Sequence, residues 1–343
     1  YGKRAPDLGW RMTDAWLSMA GVGSQGEPNG IPIDEWGIRM EAGSCNPVGS
    51  KTSRGGEANG PAAVFAIEKW DEWLRKYAPP AAASYDFYQS LPTLDQGNVA
   101  QQIFWYSAFG SGLVRPKSEG NNVVDDEGNL LWRMAPSPHG PYWKDGQKIG
   151  YQDVGSWTIL KSTPDDRAQA AWLYAQFVTS KTVDTKKSHV GLTFIRDSTV
   201  RGDSFTERAP KLGGLIEFYR SPDRVRWSPT GINVPDYPKL AQIWWQQIGN
   251  VNSGAATAQE AMDALAQEMD DTMARMQAAD EASGVYGGCG PRLNPEVDPA
   301  EWIGKPDGPK AKLENEKPQG ETVNYDDLVK RWAEVAPSKA SAN

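Results

Sequence analysis

Four stretches of this chain place apolar side chains three and four residues apart, and the apolar runs between them are too short for helices. Residues 61–77 align Val64, Ile67, Trp70 and Trp73-Leu74, with Phe65 beside them, and end at Pro79-Pro80. That spacing predicts an amphipathic helix. Thr163-Pro164-Asp165-Asp166 offers a cap, a proline for the first helical position and two acids for the positive helix start. Ala168, Ala171, Trp172, Ala175 and Val178 follow on one face, so a helix is expected from 164 to 180. Two more helices are expected over 237–252, through Leu240, Ile243-Trp244 and Ile248, and over 257–279. In the last, Met262, Leu265, Met269, Met273 and Met276 form a stripe that reads as core filling. Residues 99–105, 131–135 and 157–160 are strand candidates bounded by Gly, Pro or Asn. Strands separated by helices imply an α/β architecture.

The 343 residues suffice for two domains, and a hydrophobic content of 39% with 23% charged residues is ordinary for a globular protein. A net charge of -8 and a pI near 5.0 exclude a phosphate-binding surface, so no nucleic-acid partner is expected. No run reaches the 18 or more apolar residues of a membrane span. The first residues, Tyr1-Gly-Lys-Arg-Ala-Pro-Asp, show neither an initiator Met nor a basic region followed by an apolar stretch. A signal peptide and any earlier domain are therefore expected upstream.

Cys45 and Cys289 are the two cysteines, far apart and outside any C-x-x-C or Cys/His metal spacing. They read as one long-range disulfide, which in the chain-entropy account contributes about 5 kcal/mol and persists in an oxidising compartment. The other reading is two unrelated buried thiols. Fifteen Trp, twelve Tyr and eight Phe occur, many beside Gly, Asp, Asn or Ser. An indole face stacks on the C–H face of a sugar or polyol while neighbouring polar groups bond its hydroxyls, although most Trp in any protein fill core volume.

With only His139 and His189, and no H-E-x-x-H, the chain lacks the means for metal catalysis, and no metal or cofactor is expected. No G-x-S-x-G elbow or phosphate loop occurs, so no catalytic residue is assigned. The enzymatic alternative is a glycoside-processing protein, which needs only two carboxylates; Asp14, Asp95, Asp153 and Glu217 are available, and no pattern pairs any two of them. From about Ala282 a Pro-, Lys- and Glu-rich stretch opens, without apolar periodicity until 325–335; it reads as a surface extension, 282–343.

The segment Gly150-Tyr-Gln-Asp-Val-Gly-Ser-Trp157-Thr-Ile-Leu-Lys-Ser-Thr-Pro164, followed by Ala170-Ala-Trp-Leu-Tyr-Ala-Gln-Phe-Val-Thr-Ser180, resembles the hinge strand and next helix of family 1 extracellular solute-binding proteins. Val190-Gly-Leu-Thr-Phe-Ile-Arg196, Pro235-Asp-Tyr-Pro238, Trp244-Trp245 and Ala258-Gln-Glu-Ala261 continue the likeness. More narrowly, Pro6-Asp-Leu-Gly-Trp-Arg11, Asp14-Ala-Trp-Leu-Ser-Met-Ala-Gly21, Gln101-Gln-Ile-Phe-Trp-Tyr106, Ala135-Pro-Ser-Pro-His-Gly-Pro-Tyr-Trp143 and Asn315-Glu-Lys-Pro-Gln-Gly-Glu321 resemble periplasmic glycerol-type binding proteins of ABC importers.

The resemblance implies a type II periplasmic-binding fold with two α/β lobes joined by hinge crossovers, the N-terminal lobe incomplete. Residues 1–150 would give most of the C-terminal lobe, 151–215 part of the N-terminal lobe, and 216–281 the return. It also implies a periplasmic carrier that catalyses nothing, a small polyol or carbohydrate ligand, a membrane permease as partner, and a monomer. A non-transport sugar-recognition protein, without hinge crossovers, is a third reading.

Ligand contacts are expected from Trp10, Arg11 and Asp14 at a loop-to-helix start, and from Trp105 and Tyr106 at a strand's end, which faces the crevice in open α/β sheets. Asp153, Gly155 and Trp157 in the presumed hinge, with Trp227 and Asn233 on a loop ahead of a helix, complete the set. For each, a cap, turn or core role is the competing assignment. His139 is a further hydroxyl partner or a plain loop histidine.

Overall fold

The computed structural model describes residues 19, 39–40, 47–54, 58–105, 115–145, 150–152, 157–221, 227–229 and 237–283. In chain order these form β1 (Arg39–Met40), β2 (Pro47–Val48), α1 (Pro61–Lys76), α2 (Phe87–Ser90), β3 (Gly150–Gln152), α3 (Asp165–Thr179), α4 (Lys181–His189), α5 (Asp197–Val200), α6 (Asp203–Thr206), α7 (Leu215–Arg220), β4 (Trp227–Pro229), α8 (Tyr237–Ser253) and α9 (Ala258–Ser283). The chain divides into two units: Tyr1–Leu91, Pro136–Gly155 and Pro222–Pro295 in the first, and Pro92–Ala135, Ser156–Ser221 and Glu296–Asn343 in the second.

In the first unit, α8 packs along α9, and α9 also carries α1. Leu240, Ile243, Trp244 and Ile248 of α8 meet the expected methionine stripe of α9, and Met262, Leu265, Met269, Met273 and Met276 are all buried. From α1, Ala63, Val64, Ala66, Ile67 and Trp70 join them. Each Val, Leu, Ile or Met among them stabilises the fold by about 1.5–3 kcal/mol on leaving water, the alanines by less. The surface pairs of α1, Lys69 with Glu72 and Arg75 with Asp71, are screened by solvent, so the apolar seam decides the packing.

Helix ends follow their sequence signals. Pro61 opens α1, where its missing N–H costs nothing, and Arg75 donates to the terminal carbonyl of α8 at Asn252 (2.8 Å). Gly254, at φ +76°, ends α8 in the left-handed conformation that a side chain would oppose. Thr257 and Glu260 cap α9 reciprocally: the Thr257 N–H donates to Glu260 Oε2 (2.9 Å) and the Glu260 N–H to Thr257 Oγ1 (3.2 Å). The Thr257 backbone N–H, then its hydroxyl, hold the Glu260 carboxyl below its ordinary range. The cap is therefore intact above the ordinary carboxylate pKa and weakens as pH falls through the lowered value. Buried Asp270 of α9 accepts from the Ser50 N–H (2.5 Å), and a Cβ on Gly49 would strike that carboxylate, so the segment after β2 must pass close to α9.

β1 and β2 pair antiparallel, while β3 and β4 pair parallel with Gly150 opposite Trp227 and Gln152 opposite Pro229. This places Trp227 in a strand, where the sequence reading had a loop: the Pro229 that follows reads as turn chemistry, but a strand end tolerates it.

The second unit is built around Leu94, Val123, Val124, Leu130, Phe194, Val200, Phe205, Leu212, Leu215 and Ile216. Its polar anchor is Asp184, fully buried on α4, whose carboxylate accepts from the N–H groups of Ile195 (2.9 Å) and Arg196 (3.0 Å) and from the Thr199 hydroxyl (2.7 Å). Gly191, at φ +74°, turns the chain out of α4 so that residues 192–196 can return to that carboxylate.

None of the three strand candidates forms a strand. Residues 131–135 bond at their two ends to different partners, Leu131 N–H to Val123 (2.8 Å) and Met134 N–H to Gly213 (2.7 Å), which is not a ladder. Helix α3 begins at Asp165 with Pro164 as the N-cap residue, one position later than the sequence signal, and the Thr163 side chain does not cap it.

Replacing Asp184 by Ala leaves three donors without their acceptor, each worth about 1–3 kcal/mol when buried. A loss of about 3 kcal/mol or more is expected in chemical denaturation, with Asp184→Asn milder because one acceptor oxygen remains. A neutral Asp184→Ala contradicts the anchor.

Candidate functional site

Of the residues expected to contact ligand, Trp105 and Trp157 are described in full and Trp227 by its backbone. Trp10, Arg11, Asp14, Tyr106, Asp153, Gly155 and Asn233 lie outside the described residues, as do Cys45 and Cys289.

Trp105 is half-buried in the second unit, its ring set edge-on to Phe104 with centroids 5.4 Å apart and an interplanar angle of 81°. Phe104, itself partly buried, packs against the unit's apolar core, so the tryptophan is held by a core-anchored neighbour while part of its surface stays accessible. A rigidly backed, partly open indole is what stacking on a sugar C–H face requires. Trp157, in the same unit, is 64% exposed, and its ring meets Tyr174 of α3 edge-on at 5.5 Å and 82°. Trp227 opens β4 opposite Gly150, so the two segments read as hinge strand and loop are neighbours in one parallel pair.

Asp95 and Glu217 were the described acids open to glycoside chemistry. Asp95 is buried, with Oδ2 engaged by the Arg115 guanidinium, while Glu217 sits exposed on α7. An acid tied to a guanidinium reads as a structural partner. Among the described residues no group of His, Cys, Asp and Glu is arranged to hold a metal, and no helix is long and apolar enough to cross a membrane.

One aromatic group in the first unit was not assembled from sequence. His139 lies flat on Trp143, with centroids 3.5 Å apart and an interplanar angle of 18°, and the adjoining Tyr142 meets Phe65 of α1 at 5.7 Å. The available signal was His139 four residues ahead of Trp143 in a Pro/Gly-rich loop, a spacing that brings two flat rings together when the loop turns tightly. Gly140 permits that turn, because a Cβ there would run into the backbone carbonyl of Met19. Gly140→Ala is therefore expected to cost about 1–3 kcal/mol, whereas His139→Ala, at an exposed ring, stays within about 0.5 kcal/mol. Equal melting temperatures for the two variants contradict the close approach.

No curated protein matches the sequence. Among solved structures the chain is similar to maltose-bound MalE3 of T. maritima, with 18% identity and a TM-score of 0.53 over 77% of this chain and 57% of that one. It is also similar to an ABC transporter solute-binding protein of Agrobacterium radiobacter K84 in complex with ribitol, with 20% identity and a TM-score of 0.48 over 76% of this chain and 63% of that one. The chain thus spans less than two thirds of either structure's length. The likeness to MalE3 is one of fold, and it assigns the periplasmic-binding fold. Residues 6–184, more than half of the chain, match the bacterial extracellular solute-binding protein model, a family of binders and not of enzymes. This chain belongs to that family.

Proposed function

We propose that the chain is part of the solute-binding component of an ABC-type importer, which captures a small polyol of the glycerol type, or a carbohydrate, in the periplasm and presents it to a membrane permease. The observation that carries this reading is the family match over residues 6–184, which includes Trp105, β3 and all of α3. Trp105, backed by Phe104 and partly open, supports a ligand with a C–H face, and the maltose in MalE3 is of that class.

The two-lobed α/β arrangement with hinge crossovers, the lobe assignments and the monomeric state are part of the same proposal. So are ligand roles for Trp10, Arg11, Asp14, Tyr106, Asp153, Gly155, Trp157, Trp227 and Asn233. A carrier of this kind works by differential contact: ligand adds interactions found only in a closed form, shifts the population toward it, and the permease reads that form.

Calorimetric titration of the product of the complete reading frame with glycerol, ribitol and maltose is expected to give saturable binding without turnover. Trp105→Ala is expected to weaken that binding by about 1–3 kcal/mol with the fold intact. A loss of stability with unchanged affinity would make Trp105 a packing residue, and product formation would overturn the carrier reading.

The Cys45–Cys289 disulfide is proposed on the same basis. Two thiols protected from alkylation in non-reducing denaturant, and a melting temperature lowered by reduction, are expected; free thiols contradict it.

A further inference from the structure

Trp105 lies midway along the chain between Asp95 and Arg115, whose side chains form an ion pair. Three hydrogen bonds close the same junction. The Asn122 N–H donates to the Asp95 carbonyl (2.8 Å), Asn122 Nδ2 to the Gln96 carbonyl (3.2 Å), and Nδ2 of the fully buried Asn121 to the Arg115 carbonyl (2.9 Å). Leu94 and Val123, next to Asp95 and Asn122 in sequence, belong to the apolar core on which Phe104, the brace of Trp105, also packs. The stretch that carries the indole is therefore fastened at both ends and seated on the core beside the fastening.

The chemistry of Asp95 does not suit a plain stabilising contact. Its side chain is 11% exposed against 42% for Arg115, so the acid has left water while the base is partly in it. Oδ2 meets the guanidinium, whereas Oδ1 is buried without a hydrogen-bond partner among the described residues. A carboxylate so placed loses hydration at both oxygens and regains a partner at one, and apolar residues of similar volume commonly hold such a place at least as well. What the pair supplies is direction, because a guanidinium and a carboxylate meet in few orientations. A ring that must present one face to a ligand needs supports of that directional kind.

We propose that Asp95, acting through Arg115, is a positioning residue for ligand binding: the pair clasps the two ends of the stretch that carries Trp105 and holds the indole in the orientation that receives the C–H face of a sugar or polyol. Asp95 does not touch the ligand, since one of its oxygens is buried and the other engaged. The proposal rests on the ligand role given to Trp105 above, and its test separates the two.

The fluorescence of Trp105 is isolated by subtracting the spectrum of a Trp105→Phe protein from that of its parent. Asp95→Asn keeps the shape of the side chain and removes its charge; in that background the Trp105 signal is expected to be quenched more strongly by acrylamide, under conditions where both proteins are folded. Arg115→Lys is expected to lie nearer the parent than Arg115→Gln, and this comparison decides the matter should Asp95→Asn not fold. Unchanged quenching of Trp105 in the folded variants overturns the proposal, whatever happens to the melting temperature. In titrations of the product of the complete reading frame with glycerol, ribitol and maltose, Asp95→Asn is expected to weaken binding by about threefold or more, and to have no such effect in a Trp105→Ala background. Equal losses in both backgrounds overturn the proposal as well. Binding of none of the three ligands overturns the carrier reading instead, and the quenching comparison then decides by itself whether Asp95 orients Trp105.

Discussion

The parallel pairing of Gly150–Gln152 with Trp227–Pro229 is the constraint on which the rest depends. Parallel neighbours cannot be joined by a hairpin and need a crossover, commonly a single helix. Here the crossover contains residues 157–221, whose helices share one apolar core with Leu94, Val123, Val124 and Leu130. Much of the second unit is thus inserted in sequence between two paired strands of the first. Three residue pairs make up that pairing, so stability has to come from elsewhere: the methionine and leucine seam of α8, α9 and α1 in the first unit, and Asp184 with the Phe194–Ile216 cluster in the second.

Those two solutions differ in kind. The first unit relies on non-directional apolar burial, for which unbranched methionine suits the irregular space along α9. The second fixes its path with a carboxylate: residues 192–196 have no ladder, and Asp184 supplies the acceptors that a neighbouring strand would otherwise provide. A buried carboxylate with three donors is specific in geometry, so this segment is held in one position although Leu192 and Ile195 on it remain in solvent.

The same distinction explains what could be read from sequence. The four predicted helices are present with ends near those expected, because a helix satisfies its backbone within its own sequence and its caps are written beside it, as at Pro61 and Thr257–Glu260. Strands satisfy their backbones with residues far away, which no local pattern names. Residues 131–135 found two unrelated partners, the N–H groups of residues 157–160 found no acceptor among the described residues, and Trp227, read as lying on a loop, is in a strand that did pair. For the site, Trp105 and Trp157 were expected from their neighbours in sequence, and the structure describes the first as half-buried and the second as exposed. The stacking of His139 on Trp143 was not expected, because it depends on how closely Met19 passes Gly140.

Trp157 shows how exposure alone fails to assign an aromatic residue, since an open indole serves equally as a ligand platform or as unsatisfied packing surface. Its surroundings separate the two. Trp105 is braced by Phe104, which is itself anchored in the core, so its orientation survives without a partner, as a preorganised binding group requires. Trp157 is braced by Tyr174, which is 54% exposed and sits on a helix with no buried residue. Among the described residues, a ring braced by another exposed ring is less firmly held than one braced by a core-anchored neighbour. The two tryptophans are therefore separable in kind, although both stand out equally in the sequence.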